Sequence, residues 1–148
     1  ESPLQMLCDS PSNYRGEPES LAFIRAAPTV WDETHVLAAA VGEHLAVARR
    51  SGQRWFVGAM AGAEAKQLRV RLPLPTNSDW RARIWADGPN AQRHAEDVAE
   101  RRERVSATSE LTIDMAPGGG WVAIIEPVEG AGAAGRSALR ENQTESQR

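Results

Sequence analysis

Short segments with alternating apolar and polar residues, separated by turn residues, make up most of this sequence. In the clearest of them, residues 66–72, the apolar residues Leu68, Val70 and Leu72 lie on one side, and amide or charged residues lie on the other. A period of two is the pattern of a β-strand that buries one face. Pro73 and Pro75 end this segment, because a proline has no amide hydrogen to offer a sheet. The segment is therefore predicted to be a half-buried strand.

The same reasoning predicts further strands at residues 44–48, 54–61, 80–87, 111–115 and 121–125. The turn signal Ser51-Gly52 joins the first two into a hairpin, and residues 54–61 are apolar on both faces, which indicates a central strand. About six or seven short strands, with a turn about every 8 to 12 residues, predict an all-β fold, an antiparallel β-sandwich with Greek-key-like connections. Ahead of the strands, residues 19–27 have the apolar spacing of a short helix that Pro28 ends, so the N-terminal segment is predicted to be helical or irregular.

Composition limits the classes of partner. The chain has 148 residues, a net charge of −3 and one cysteine, Cys8. This length suits a single domain whose core needs no disulfide or structural metal. The acidic balance argues against a phosphate-binding surface, and no stretch approaches the roughly 18 apolar residues that span a bilayer. We therefore expect neither nucleic acid nor a membrane as a partner.

The tryptophans and one glycine run are the positions where binding residues could lie. Gly118-Gly119-Gly120 leads into an apolar strand rather than a helix, so it indicates a tight turn and not a phosphate site. Trp85 shares the polar face of its strand with Arg83 and Asp87, and its ring has three interpretations: a platform for a sugar, a contact with a protein partner, or a ring covered by arginine side chains. Three other tryptophans are predicted to be core residues: Trp55, Trp80 and Trp121. The candidate carbohydrate- or partner-binding residues are Trp85, Arg83, Asp87 and Trp31.

Four segments, in order, resemble one known family. They are Pro28-Thr29-Val30-Trp31-Asp32-Glu33-Thr34, Arg49-Arg50-Ser51-Gly52, Trp55-Phe56-Val57-Gly58-Ala59-Met60 and Ala116-Pro117-Gly118-Gly119-Gly120-Trp121. Together they resemble the C-terminal region of glycoside hydrolase family 97, whose members are α-glucosidases and α-galactosidases. The resemblance implies a β-sandwich that packs against a (β/α)8 catalytic barrel and supports oligomerisation. It also implies that calcium and the catalytic carboxylates belong to upstream parts that this chain lacks, so no cofactor is expected here.

The residues themselves agree with a non-catalytic chain. Glycoside hydrolysis usually needs two carboxyl groups flanking one bond, whereas Asp32 and Glu33 are adjacent in an extended segment and are expected to point to opposite faces. The alternative role for Asp32 is to stabilise a turn together with Thr34. The histidines are too scattered for a common zinc site: His35, His44 and His94. We expect no catalytic residue and no metal ligand.

The resemblance also divides the chain and assigns its role. Residues 91–104 have helix propensity, but the resemblance implies a strand at residues 98–105, which we favour. Residues 1–27 are predicted to be a linker remnant from the barrel junction, of which residues 1–20 are poorly ordered or used in a dimer, residues 28–126 the β-sandwich and residues 127–148 a disordered tail. The predicted function is that of an accessory or oligomerisation domain that forms a homo-oligomer or packs against a barrel. The alternative is a free-standing carbohydrate-binding module that uses an exposed tryptophan.

Overall fold

The computed structural model describes residues 10–16 and 18–128. Two helices come first, α1 (Pro11–Gly16) and α2 (Pro18–Ala26). Eight strands follow: β1 (Glu33–Ala40), β2 (His44–Ser51), β3 (Arg54–Ala61), β4 (Lys66–Arg71), β5 (Trp80–Asp87), β6 (Val98–Val105), β7 (Glu110–Met115) and β8 (Gly120–Pro127). Cys8, residues 1–9 and 17 of the predicted linker, and nearly all of the predicted tail lie outside the described residues. The two described helices are too short to span a membrane.

The strands form an antiparallel sandwich of unequal layers. The large sheet has six strands in the order β1-β2-β3-β8-β5-β6, and the small sheet pairs β4 with β7. β8 follows the small-sheet strand β7 in sequence and pairs with β3 on one side and β5 on the other. The prediction of an all-β sandwich preceded by a short helical or irregular segment is confirmed, and the described part of that segment forms two helices.

The core lies between the large sheet and the small one. Small and large side chains alternate across it, because Trp121 on β8 is directly opposite Ala59 on β3 and Ala86 on β5. The tryptophans predicted to be core residues are all buried here: Trp55, Trp80 and Trp121. The small sheet contributes the alternate residues that its period of two predicted, including Leu68 and Val70.

The opposite face of the large sheet, here called the outer face, is covered only in part. Helix α2 lies on it, with the Phe23 ring 6.4 Å from that of Phe56 and 5.7 Å from that of Trp85. Phe56, Trp85 and Ile124 form a second buried cluster beneath this helix. The prediction of a short helix before Pro28 is confirmed, and the helix caps the middle of the sheet.

Two segments differ from the simplest interpretation of the sequence. The segment after Asp32 is a strand, β1, which the alternation did not reveal because a bulge between Val36 and Ala38 interrupts its register. Residues 98–105 form β6 in spite of their helix propensity, since every residue from Val98 to Val105 pairs with β5. Tertiary pairing therefore overrides local propensity in this segment.

Candidate functional site

Trp85 is buried, with a relative exposure of 3%. The guanidinium carbon of Arg83 lies 4.5 Å from the centre of its ring, and Phe23 of α2 packs against it from another direction. Three interpretations of Trp85 were open, and its surroundings match the third: an arginine side chain covers its ring. Trp85 is therefore not the exposed tryptophan that the carbohydrate-binding alternative required.

Arg83 is itself held in place by an ion pair. Its Nε and Nη2 atoms donate to the two carboxylate oxygens of Glu100 on β6, at 2.9 and 2.8 Å. This bidentate contact lowers the pKa of Glu100 and raises the pKa of Arg83, in both cases mainly through the hydrogen bond. Arg83 thus links β5 to β6 through Glu100 and lies over the Trp85 ring. These contacts give Arg83 a structural role that needs no ligand.

The Asp87 side chain accepts hydrogen bonds from the loop that leads into β8 and stabilises it. One carboxylate oxygen, Oδ2, accepts a hydrogen bond of 2.8 Å from the amide of Ala116, and both oxygens lie 3.2 Å from the amide nitrogen of Gly120. A Cβ at Gly119 would overlap the carboxylate, and Gly118 has a φ of 66°. The glycine run is therefore the tight turn with close backbone approach that the sequence predicts, although its partner, 29 residues from Ala116, was not apparent from local sequence.

Trp31 lies at the edge of the outer face. Its ring is 5.3 Å from that of Phe56 and is faced by the guanidinium of Arg49 at 5.4 Å. It lines a groove of about 370 Å³ together with Phe23, Val47, Met60 and other residues of β2 and β3. Trp31 is half-buried, whereas Trp85, which borders a neighbouring groove, is buried.

The carboxylates that follow Trp31 are engaged by Arg50. The Arg50 Nη1 atom lies 3.3 Å from Asp32 Oδ2, and its Nε donates to Glu33 Oε1 at 2.7 Å. Hydrogen bonds from His35 and Arg50 lower the pKa of Glu33. The expectation that the two side chains diverge is wrong, since both reach one arginine. The expectation that Asp32 stabilises a turn is confirmed, since its carboxylate accepts a hydrogen bond of 2.8 Å from the amide of Gly52 in the β2–β3 turn. Thr34, expected to take part, instead pairs with Arg49 in the β1–β2 register.

An apolar surface whose position the sequence did not indicate lies beside Trp31. Leu45 on β2 and Met60 on β3 are directly opposite each other on the outer face, with relative exposures of 40% and 60%. The apolar pattern on both faces of β3 correctly indicated a central strand, but it gave no sign that the Met60 end of the outer face is open. Within residues 10–16 and 18–128, no group of three or more His, Cys, Asp or Glu could hold a metal ion.

Comparison with known proteins decides the family. The family model described as glycosyl-hydrolase 97 C-terminal, oligomerisation, matches residues 30–126. The chain belongs to this family. Its GH97 C-terminal domain is 41% identical over 121 residues to a retaining α-galactosidase of Bacteroides thetaiotaomicron, covering 82% of this chain and 18% of that protein. It is 33% identical over 124 residues to a probable retaining α-galactosidase of Streptomyces bingchenggensis, covering 84% of this chain and 18% of that one.

Solved structures agree with the assignment. A glycoside hydrolase family 97 enzyme from Pseudoalteromonas sp. strain K8, in complex with acarbose, superposes with a TM-score of 0.77 and 29% identity. That likeness covers 81% of this chain and 20% of the enzyme. The chain thus spans about a fifth or less of the length of these relatives, and the part it resembles is their non-catalytic C-terminal domain.

Proposed function

We propose that this GH97 C-terminal domain is a self-association module that contributes no catalytic group and joins copies of a longer glycoside hydrolase. The observation that supports this most directly is the exposed Leu45 and Met60 pair on a face that α2 leaves partly open. Exposed apolar surface of this kind favours association with another protein surface. The description of the family as an oligomerisation domain agrees with this role.

We also propose that the longer enzyme to which this domain belongs acts on α-galactosides. Two relatives, at 41% and 33% identity, are named as a retaining and a probable retaining α-galactosidase. We propose that the domain runs from residue 28 to residue 126, and the match of the family model to residues 30–126 supports this proposal. Packing against the catalytic barrel is a second contact that we propose, on the side of α2, since this helix lies on the outer face and is the segment that leads into β1.

Sedimentation equilibrium combined with an activity assay tests this function. We expect the purified chain to form a homo-oligomer whose fraction rises with protein concentration, and to release no p-nitrophenol from p-nitrophenyl α-D-galactopyranoside or its α-glucoside. A clean monomer throughout the accessible concentration range would contradict self-association. Hydrolysis that persists after the chain is purified to homogeneity would contradict the absence of a catalytic role.

Carbohydrate binding is a second candidate, and the groove beside Trp31 is the place for it. Trp31 places an aromatic face beside the guanidinium of Arg49, whose N–H groups could donate to sugar hydroxyl groups. Because the ring is already packed against Phe56 and Arg49, we expect tryptophan emission to stay unchanged when galactose or maltotriose is added to millimolar concentration. A saturable change that is lost in Trp31→Phe would instead favour this second candidate.

A further inference from the structure

Half of the large apolar side chains exposed in the described part of the chain lie at one place. Six such residues are exposed, and three of them lie at the β1–β2 turn and the neighbouring ends of β2 and β3. These three are Val41, Leu45 and Met60, and they line one groove. We infer that this surface, here called the Met60 patch, is the contact with a second copy of this chain; the inference rests on the proposed self-association.

The shape of the Met60 patch suits contact with its own copy. Leu45 and Met60 form a ridge, since they are directly opposite in the β2–β3 register and both line two neighbouring grooves. One groove, of about 370 Å³, leads toward Trp31, and the other, of about 400 Å³, lies over the β1–β2 turn. A ridge with grooves on both sides is self-complementary, because a two-fold axis sets the ridge of each copy into a groove of the other.

Charge around the Met60 patch favours the same arrangement. The centre is apolar, whereas Glu43 precedes β2 and Arg49 lies near its far end. A two-fold axis near Leu45 reverses the strand direction of the second copy, so Arg49 of one copy approaches Glu43 of the other. The Glu43 carboxylate accepts a hydrogen bond of 2.7 Å from Lys66, which lowers the pKa of Glu43 and keeps it ionised near neutral pH. Opposite charges therefore meet at both rims of the interface.

The other surfaces of the domain are poor candidates for such a contact. At the far edge of the large sheet, β6 carries five charged residues out of eight, a composition that discourages edge pairing. Arg81 is directly opposite Arg104 there, so a symmetric contact at that end would bring four guanidinium groups together. The outer side of the small sheet presents only polar side chains: Gln67, Arg69, Arg71, Glu110, Thr112 and Asp114.

Charge insertion at the ridge is the direct test. We expect Met60→Glu and Leu45→Glu each to weaken self-association at least about tenfold, because the new carboxylates are desolvated and face each other across the two-fold axis. Thr112→Glu is the matched control, an exposed strand residue on the opposite side of the sandwich, and should associate like the parent chain. Sedimentation equilibrium gives the dissociation constants, and circular dichroism verifies that each variant is folded.

The outcomes separate this inference from the proposed function. Here the parent chain is this chain without any substitution. If it associates while both ridge variants are folded monomers, the Met60 patch is the interface. If the ridge variants associate as tightly as the parent chain, the inference is overturned and self-association through another surface stands. If the parent chain is monomeric, the proposed function fails and the inference with it. If a separately produced catalytic barrel of the Bacteroides relative binds the parent chain and loses binding to Met60→Glu, the barrel is the occupant and the inference is overturned.

Discussion

Replacing Gly119 with alanine should lower the free energy of unfolding by about 2–3 kcal/mol, because the new methyl group displaces the Asp87 carboxylate from its hydrogen bonds. A Cβ at this position overlaps Asp87 Oδ2 and comes within 3.0 Å of the amide nitrogen of Ala116. The carboxylate would have to release the amides of Ala116 and Gly120, which then lose their partners. Urea unfolding followed by circular dichroism measures the change.

Gly58→Ala is the matched control for this prediction. A Cβ added at Gly58 would meet no other atom within 4 Å, and the residue has no positive φ, so alanine there should change stability by less than about 0.5 kcal/mol or raise it slightly. The Asp87→Ala background supplies a second check, since removing the carboxylate makes room for the methyl group. Gly119→Ala should then cost little more than Asp87→Ala alone. Equal losses in both backgrounds would show that the overlap with Asp87 is not the cause.

Truncating Trp121 to alanine should cost about 3–5 kcal/mol, the range for deleting a large aromatic side chain from a core. The value should fall at the upper end, because the residues directly opposite Trp121 on the neighbouring strands are Ala59 and Ala86. Neither alanine can reach into the space that the ring leaves, so the cavity remains. The measurement is again the urea midpoint at unchanged m-value.

Trp121→Phe distinguishes cavity formation from loss of polar contacts. Among residues 10–16 and 18–128, no atom accepts a hydrogen bond from the indole nitrogen of Trp121, so phenylalanine gives up ring volume and none of the hydrogen bonds described here. We expect a loss of about 1–2 kcal/mol, clearly below that of alanine. A phenylalanine variant as unstable as the alanine variant would contradict the explanation by cavity volume.

The strands with regular alternation could be predicted from the sequence, and the physical reason is local. In β4 and β7 one face packs on the core and the other faces water, so apolar and polar residues alternate along the sequence as buried and exposed positions do. β1 lacks that regularity because of its bulge and its edge position. The family segment Pro28–Thr34 covers only the first two residues of β1, and the alternation predicts no strand there. For β6, the family resemblance predicts a strand where local propensity favours a helix.

The candidate site was less predictable, because its properties depend on which elements lie together. The polar face of β5 placed Trp85 beside Arg83 correctly, but its burial depends on α2, whose Phe23 is distant in sequence. The role of Asp87 depends in the same way on the loop before β8. The open end of the outer face could not be foreseen, since Met60 has the same apolar character as its buried neighbours on β3.

The central position of β8 has a consequence for synthesis on the ribosome. Until residues 120–127 emerge from the exit tunnel, β3 and β5 lack the strand that joins them, and the large sheet consists of two separate pieces with open edges. Non-local pairing of this kind is slow to form and leaves those edges exposed to intermolecular pairing meanwhile. A nascent chain arrested before Gly120 should therefore be sensitive to protease and chaperone-bound, and resistance should appear in one step once β8 is free to pair.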